Sequence, residues 1–273
     1  MKPNFTNHQK TKTKLLRAGA FIVALLIANL FLVNSSLGQT LLYSQNFGTG
    51  TSFPSGWSAN TGAWSNNNGI NSSGYTGASG GSNAAFINSA SSGTLTYNNN
   101  LSSAGYSNIT VLWGARLFTG FTGTITFQWS PDGTNWNTQT FSNVPANTTW
   151  ALVNGGTRLV LPNGAGGASN LSFRFVVSGA GTGNNSSYRV DDFTVQGTAC
   201  PTITASATKN DVQCFNTSTG QIIVSGSGGT APYTFSINNG TNYQATGTFN
   251  NLPVGNYQIR VKDANGCESK PVQ

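Results

Sequence analysis

Few residues in this chain could do chemistry. Its one histidine is His8 and its one glutamate is Glu268. His8 lies in a leader segment, so the rest of the chain has no imidazole. That removes Ser-His-Asp and Cys-His nucleophilic catalysis and most zinc sites. Paired carboxylates are the other common route, and glycosidases hold two of them about 5 to 10 Å apart. Of the aspartates, Asp132, Asp211 and Asp263 fall in expected turns, and Asp191 and Asp192 are adjacent. Neighbours on a regular strand point to opposite faces. The nearest thing to a phosphate-cradling loop is GAGTG at 179–183. That signal needs a strand before it and a helix after it. No helix is readable and no Gly-Lys-Ser/Thr occurs, so the stretch reads as a loop tip between strands. No catalytic residue is expected.

The adjacent aspartates are informative in another way. In SYRVDDFTVQG, Tyr188 and Val190 share one face, whereas Phe193 and Val195 fall on the opposite parity. Both pairs can turn inward only if one extra residue is inserted at Asp191-Asp192, which predicts a β-bulge there. Two carboxylates at a kink admit two readings. They could be oxygen ligands for a structural Ca²⁺, or a solvated acidic pair that needs no ion. The second is simpler, and no cofactor is expected beyond that candidate calcium.

The elements that must position these residues are β-strands. Ile109, Val111, Trp113, Ala115 and Leu117 fall on one parity; Ile125, Phe127 and Trp129 alternate with Thr126, Gln128 and Ser130. Leu171, Phe173, Phe175 and Val177 alternate with Ser172 and Arg174. Such period-2 patterns describe strands with one buried face. Pro131-Asp132-Gly133 is a tight-turn signature between two of them. Gly and Asn recur too often for long helices. The fold class is all-β, with residues 39–198 forming a jelly-roll β-sandwich.

Residues 1–38 read as an export signal. Lys2, Lys10, Lys12, Lys14 and Arg17 precede an apolar run from Ala18 to Val33, and Ser36 and Gly38 are small residues at the cleavage positions. Cleavage is expected after Gly38. The run is about sixteen residues, short of the ~20 a membrane span needs, so the mature chain is not membrane-spanning. Without the leader, eight Lys+Arg face six acidic residues, a net +2. The cations are scattered and never adjacent, so nucleic acid is not an expected partner.

A second unit spans 199–273. Ile222 and Val224, then Tyr233, Phe235 and Ile237, then Tyr257, Ile259 and Val261 again alternate with polar residues. Its size suits a small immunoglobulin-like sandwich, and Leu252, Gly255 and Tyr257 have the spacing of a tyrosine corner. The glycines and Pro232 of GGTAPYTF read as the turn into a strand.

Two resemblances follow from these residues. LLYSQNFGTGTSFPSGW, WSPDGTNW and YRVDDFTVQG look like the adhesin-type jelly rolls of secreted bacterial proteins, related to cleaved-adhesin and MAM-like modules. Some relatives bind structural calcium near the two ends of the domain. Here the opening stretch has Gln45 and Asn46 in place of a carboxylate. VQCFNTSTGQIIVSGSGGTAPYTFSINNG, NLPVGNY and VKDANGC together resemble the SprB-type repeat of Bacteroidota gliding-motility and surface adhesins, over about 205 to 269. FNTSTG departs from that pattern, which has glycine directly after the phenylalanine. Such repeats occur in tandem, so further repeats and a sorting domain are expected downstream. The repeat contains Cys214 and Cys267, which implies that pair as a disulfide. Cys200 with either partner is the competing outcome, because three thiols leave one over.

The expected function is that of a secreted or outer-surface adhesin-like protein, non-catalytic, with a surface ligand or extracellular polysaccharide as partner. The alternative is a carbohydrate-binding module, possibly accessory to a hydrolase. By parity Trp113 and Trp129 belong to the core. Trp57, Trp64, Trp136 and Trp150 lie near turns or strand ends, and Trp64 and Trp136 are the candidate sugar-stacking rings.

Overall fold

The computed structural model describes residues 38–60, 63–67, 70–86, 92–147, 149–179, 187–212 and 218–273. The leader, most of GAGTG and Cys214 lie outside the described residues. From 39 to 273 the chain forms one compact unit, with two hydrophobic clusters. One is built from residues between Phe47 and Val195, the other between Ile203 and Cys267.

The first cluster lies between two antiparallel sheets. In chain order the strands are β1 (Gln39–Gln45), β2 (Trp57–Ala59), β3 (Trp64–Asn67), β4 (Asn83–Phe86), β5 (Gly93–Leu101) and β6 (Tyr106–Leu117). Then come β7 (Thr124–Ser130), β8 (Asn137–Gln139), β9 (Trp150–Leu152), β10 (Leu159–Val160), β11 (Leu171–Ser178) and β12 (Tyr188–Ala199). One sheet runs β10-β6-β12-β4-β3, with β1 also on β12 and β9 also on β6; the other runs β2-β5-β11-β7-β8. Two facing antiparallel sheets with these crossovers make the jelly roll. The expected inner faces of β6, β7 and β11 are largely buried. Ile109, Val111, Trp113, Ala115, Phe127, Trp129, Phe173, Phe175 and Val177 are all buried. Trp113 sits at the centre, with ring centroids 4.8 Å from Phe127 and 5.0 Å from Phe175.

The β-bulge forms where parity requires it. Asp191 pairs with Gly114 and Thr194 with Leu112, so Asp192 and Phe193 together oppose Trp113. Asp192 takes φ 51°, and the extra residue returns Phe193 and Val195 to the inner face, where both are fully buried. Phe193 reaches Phe173 at 5.1 Å and Trp57 at 5.7 Å.

The second cluster belongs to a smaller pair of sheets. β13 (Thr204–Asn210), β14 (Gly220–Ser227) and β16 (Thr248–Leu252) form one, and β15 (Thr234–Ser236) and β17 (Arg260–Lys262) the other. Ile203, Ala205, Ile222, Val224, Ile259 and Val261 fill the space between them. The tyrosine corner is present: the Tyr257 hydroxyl donates to the Pro253 carbonyl at 2.8 Å.

One expectation is corrected here. The disulfide joins Cys200 to Cys267, with Cα atoms 5.5 Å apart, so Cys267 cannot pair with Cys214. The reason is topological. Cys200 directly follows β12, and its N–H donates to the Gly105 carbonyl at 2.8 Å. Cys267 sits in the turn after β17, buried at the same junction. Asn163 adds a second tie there, donating from Nδ2 to the Ala264 carbonyl at 2.8 Å.

Candidate functional site

The alternation that buries one face of β2, β5, β7 and β11 leaves much of the other face, continued by the exposed β8, to solvent, and register aligns its side chains. Ser58 pairs with Thr96, Thr96 with Arg174, Arg174 with Gln128, and Gln128 with Thr138. This is one polar row across all five strands. It is also hydrogen-bonded: Arg174 donates from Nε to Gln128 Oε1 at 2.6 Å, and Gln128 donates from Nε2 to Thr138 Oγ1 at 2.9 Å. Trp136, beside β8, is half-buried, and the Arg174 guanidinium lies 4.2 Å from its ring centroid. Partial burial lowers the Arg174 pKa from its ordinary value. No carboxylate pairs with it among the described residues. A cation, an amide, several hydroxyls and an indole thus share one open face. Such a set can hydrogen-bond a hydroxyl-rich or anionic ligand and stack against its apolar side.

The structure separates the two candidate tryptophans. Trp136 belongs to this face. Trp64 does not: it is 3 % exposed and packs edge-on to Phe86 at 5.6 Å. Pairing of β3 with β4 carries Trp64 into the core, which its glycine-rich sequence surroundings do not reveal. Trp57 and Trp150 are buried as well. Sequence reasoning missed Arg174 as a site residue, although its parity opposite Phe173 and Phe175 places it on the wet face.

The aspartate pair lies elsewhere, on the outer side of the other sheet beneath residues 70–82. Asp192 Oδ2 accepts from the Tyr75 hydroxyl, from Ser72 Oγ at 3.3 Å and from the Ser79 N–H at 3.2 Å. The Tyr75 phenol can pack there because position 114 is glycine; a Cβ on Gly114 would overlap its ring. Asp191 is fully buried, its Oδ1 accepts the Asp192 N–H at 2.8 Å, and its Oδ2 has no hydrogen-bond partner. Burial, and then the charge of Asp192, push the Asp191 pKa up to about 7.

Several of the oxygens that the sequence offers to a calcium ion already accept hydrogen bonds. Calcium takes six to eight oxygens with free lone pairs. Asp192 Oδ2 already accepts three donors. Gln45 Oε1 accepts the Phe47 N–H at 2.8 Å and Asn46 Oδ1 the Gly48 N–H at 3.1 Å. Among the described residues no three His, Cys, Asp or Glu side chains group to hold a metal.

The glycine-rich head of the second unit is structural. Gly228 and Gly229 both have positive φ, and a Cβ on Gly229 would meet Asp263 Oδ2 at 2.6 Å. Asp263 Oδ2 accepts the Thr230 N–H at 3.0 Å, while its Oδ1 accepts the N–H groups of Asn265 and Cys267 at 2.9 and 2.8 Å. The motifs GGT and DANGC are therefore two halves of one turn-to-turn clasp.

Comparison with known proteins bears first on this second unit. Residues 206–242 match the SprB repeat family, so this part of the chain carries an SprB repeat. No curated protein sequence matches the chain. Among solved structures, the CBM22-1 xylan-binding domain from Paenibacillus barcinonensis is 14 % identical with a TM-score of 0.40, covering 60 % of this chain and 97 % of that one. The K3 cleaved adhesin domain of Lys-gingipain from Porphyromonas gingivalis is 12 % identical with a TM-score of 0.38, covering 58 % and 99 %. A carbohydrate-binding module from Cellvibrio mixtus lichenase 5A, in complex with cellotriose, is 11 % identical with a TM-score of 0.31, covering 57 % and 97 %.

Proposed function

We propose that this is an exported, non-catalytic surface-binding protein of the adhesin kind. Its jelly roll, residues 39–198, holds a saccharide ligand on the outer face of the five-stranded sheet, and the immunoglobulin-like unit, 199–273, acts as a spacer. The observation that carries this reading is the row Ser58, Thr96, Arg174, Gln128 and Thr138 with Trp136 against Arg174. Hydroxyl, amide and guanidinium groups at strand spacing suit the repeating hydroxyls of a polysaccharide, and an indole suits the apolar face of a sugar ring. The SprB repeat supports a surface location. Among the described residues no helix is long and apolar enough to cross a membrane. The export signal ending near Gly38 completes the proposal.

Affinity electrophoresis of residues 39–273 on a panel of soluble polysaccharides, paired with a glycan array, tests it. Retention on at least one acidic or neutral glycan is expected, and it should be lost in Arg174→Ala and Trp136→Ala. No retention on any glycan sinks the saccharide reading. Retention that survives both substitutions moves the site off this face.

A further inference from the structure

The turn after β1 contains an unusual hydrogen-bond centre. Asn66 Nδ2 lies 3.1 Å from the Phe47 carbonyl oxygen, 2.9 Å from that of Gly50 and 2.9 Å from that of Ser52. Asn66 is 4 % exposed, and its Oδ1 has no hydrogen-bond partner. Three carbonyls converging on one point create a negative potential that a cation or a cluster of N–H groups must answer. With no cation among them, carbonyl oxygens only accept, so the nitrogen end of the amide faces them. Two N–H bonds serve three acceptors, with one bond shared. The Gly50 carbonyl also accepts from Ser82 Oγ at 2.7 Å, and the Ser82 N–H donates to the Gly48 carbonyl at 2.7 Å. The whole 47–52 turn is therefore gathered onto Asn66 and Ser82, both buried.

We propose that the Asn66 amide does the work of a bound cation in this carbonyl cage, so the jelly roll holds its opening turn without a divalent ion. The side-chain nitrogen occupies the point where the three oxygens converge, which leaves no room for an ion at their centre. The orphaned Oδ1 follows from that arrangement: the amide is aimed by its nitrogen end, and its oxygen end is left in the core. The same geometry makes position 66 decisive. Asn66→Asp replaces the donor with a carboxylate of nearly the same shape, facing three carbonyl oxygens. Without a cation that arrangement is repulsive, and a carboxylate that draws back from the centre to admit one completes an all-oxygen site of the kind Ca²⁺ prefers.

Thermal unfolding of residues 39–273, in excess EDTA and in millimolar calcium, tests the proposal. The wild-type Tm should agree between the two within about 2 °C, a difference under roughly 1 kcal/mol for a chain of this size. Asn66→Ala should lower Tm equally in both. Asn66→Asp should melt lower than wild type in EDTA and regain most of the loss in calcium; folding only when calcium is present counts the same way. A wild-type Tm that rises with calcium by clearly more than 2 °C overturns the proposal. If that rise disappears in Asn66→Ala, the ion sits in the cage; if it survives there and disappears in Asp191→Asn, the ion sits at the aspartate pair. An Asn66→Asp protein that responds to calcium no more than wild type, or that folds in neither condition, also overturns it.

Discussion

Trp113 Nε1 donates to the Tyr188 hydroxyl at 3.1 Å, and both side chains are fully buried at the pairing of β6 with β12. The bond gives the indole N–H an acceptor inside the aromatic core. Burial also raises the Tyr188 pKa well above its ordinary value. Tyr188→Phe should leave the indole N–H without an acceptor and cost about 1 to 3 kcal/mol. Trp113→Ala should cost about 3 to 5 kcal/mol through the cavity it opens. Urea denaturation of both variants checks the order, and a larger loss for Tyr188→Phe would contradict it.

Arg174 and Trp136 should separate binding from folding. Both lie on the wet face, and cation–π contacts at exposed positions contribute about 0.5 to 1 kcal/mol. Arg174→Ala should therefore lower stability by no more than roughly 1 kcal/mol while weakening glycan retention. Arg174→Lys should not restore retention, because an ammonium lacks the planar fork that stacks on the indole and bonds Gln128. Melting curves run beside affinity electrophoresis give both readouts.

Asp191 should make stability depend on pH in an unusual direction. Its ordinary value is 3.8, and in the folded protein burial and the Asp192 charge push it to about 7. Between those values the folded state keeps a proton that the unfolded state has released. The Asp191 contribution to stability is thus greatest below about pH 4, falls as pH rises to about 7, and is level above that. The full span is on the order of 4 kcal/mol. Asp191→Asn should flatten this part of the profile and raise Tm above wild type at alkaline pH. A variant that keeps the wild-type slope would assign it to another group.

Gly114 holds space for Tyr75. Gly114→Ala should push the Tyr75 phenol from Asp192 and cost about 1 to 3 kcal/mol, as overpacking does. Tyr75→Ala should relieve the clash, so the double variant should lose less than the sum of the singles. A double-mutant cycle in urea measures the coupling.

The Cys200–Cys267 link closes a loop with a sequence separation of 67. Non-reducing peptide mapping should recover that pair, with Cys214 in neither linked peptide. Cys200→Ser should cost on the order of 4 kcal/mol by the loop-entropy argument. Recovery of a Cys214–Cys267 peptide would contradict the structure.

Much of the fold was legible along the chain because strand burial is a local, period-2 property. Alternation placed Trp113, Phe127, Phe173 and Phe175 inside, and a break in parity located the bulge at Asp191-Asp192. The Leu252, Gly255 and Tyr257 spacing located the corner that Tyr257 and Pro253 close. Three other features depended on residues far apart in sequence. Trp64 is buried because β3 pairs with β4. Cys267 meets Cys200 because the turn after β17 folds back onto the end of β12. The row from Ser58 to Thr138 exists because four strand registers coincide. Local patterning determines which side of a strand is wet, since successive side chains point to opposite faces. Only pairing decides which wet residues become neighbours, because register is set between strands and not within one.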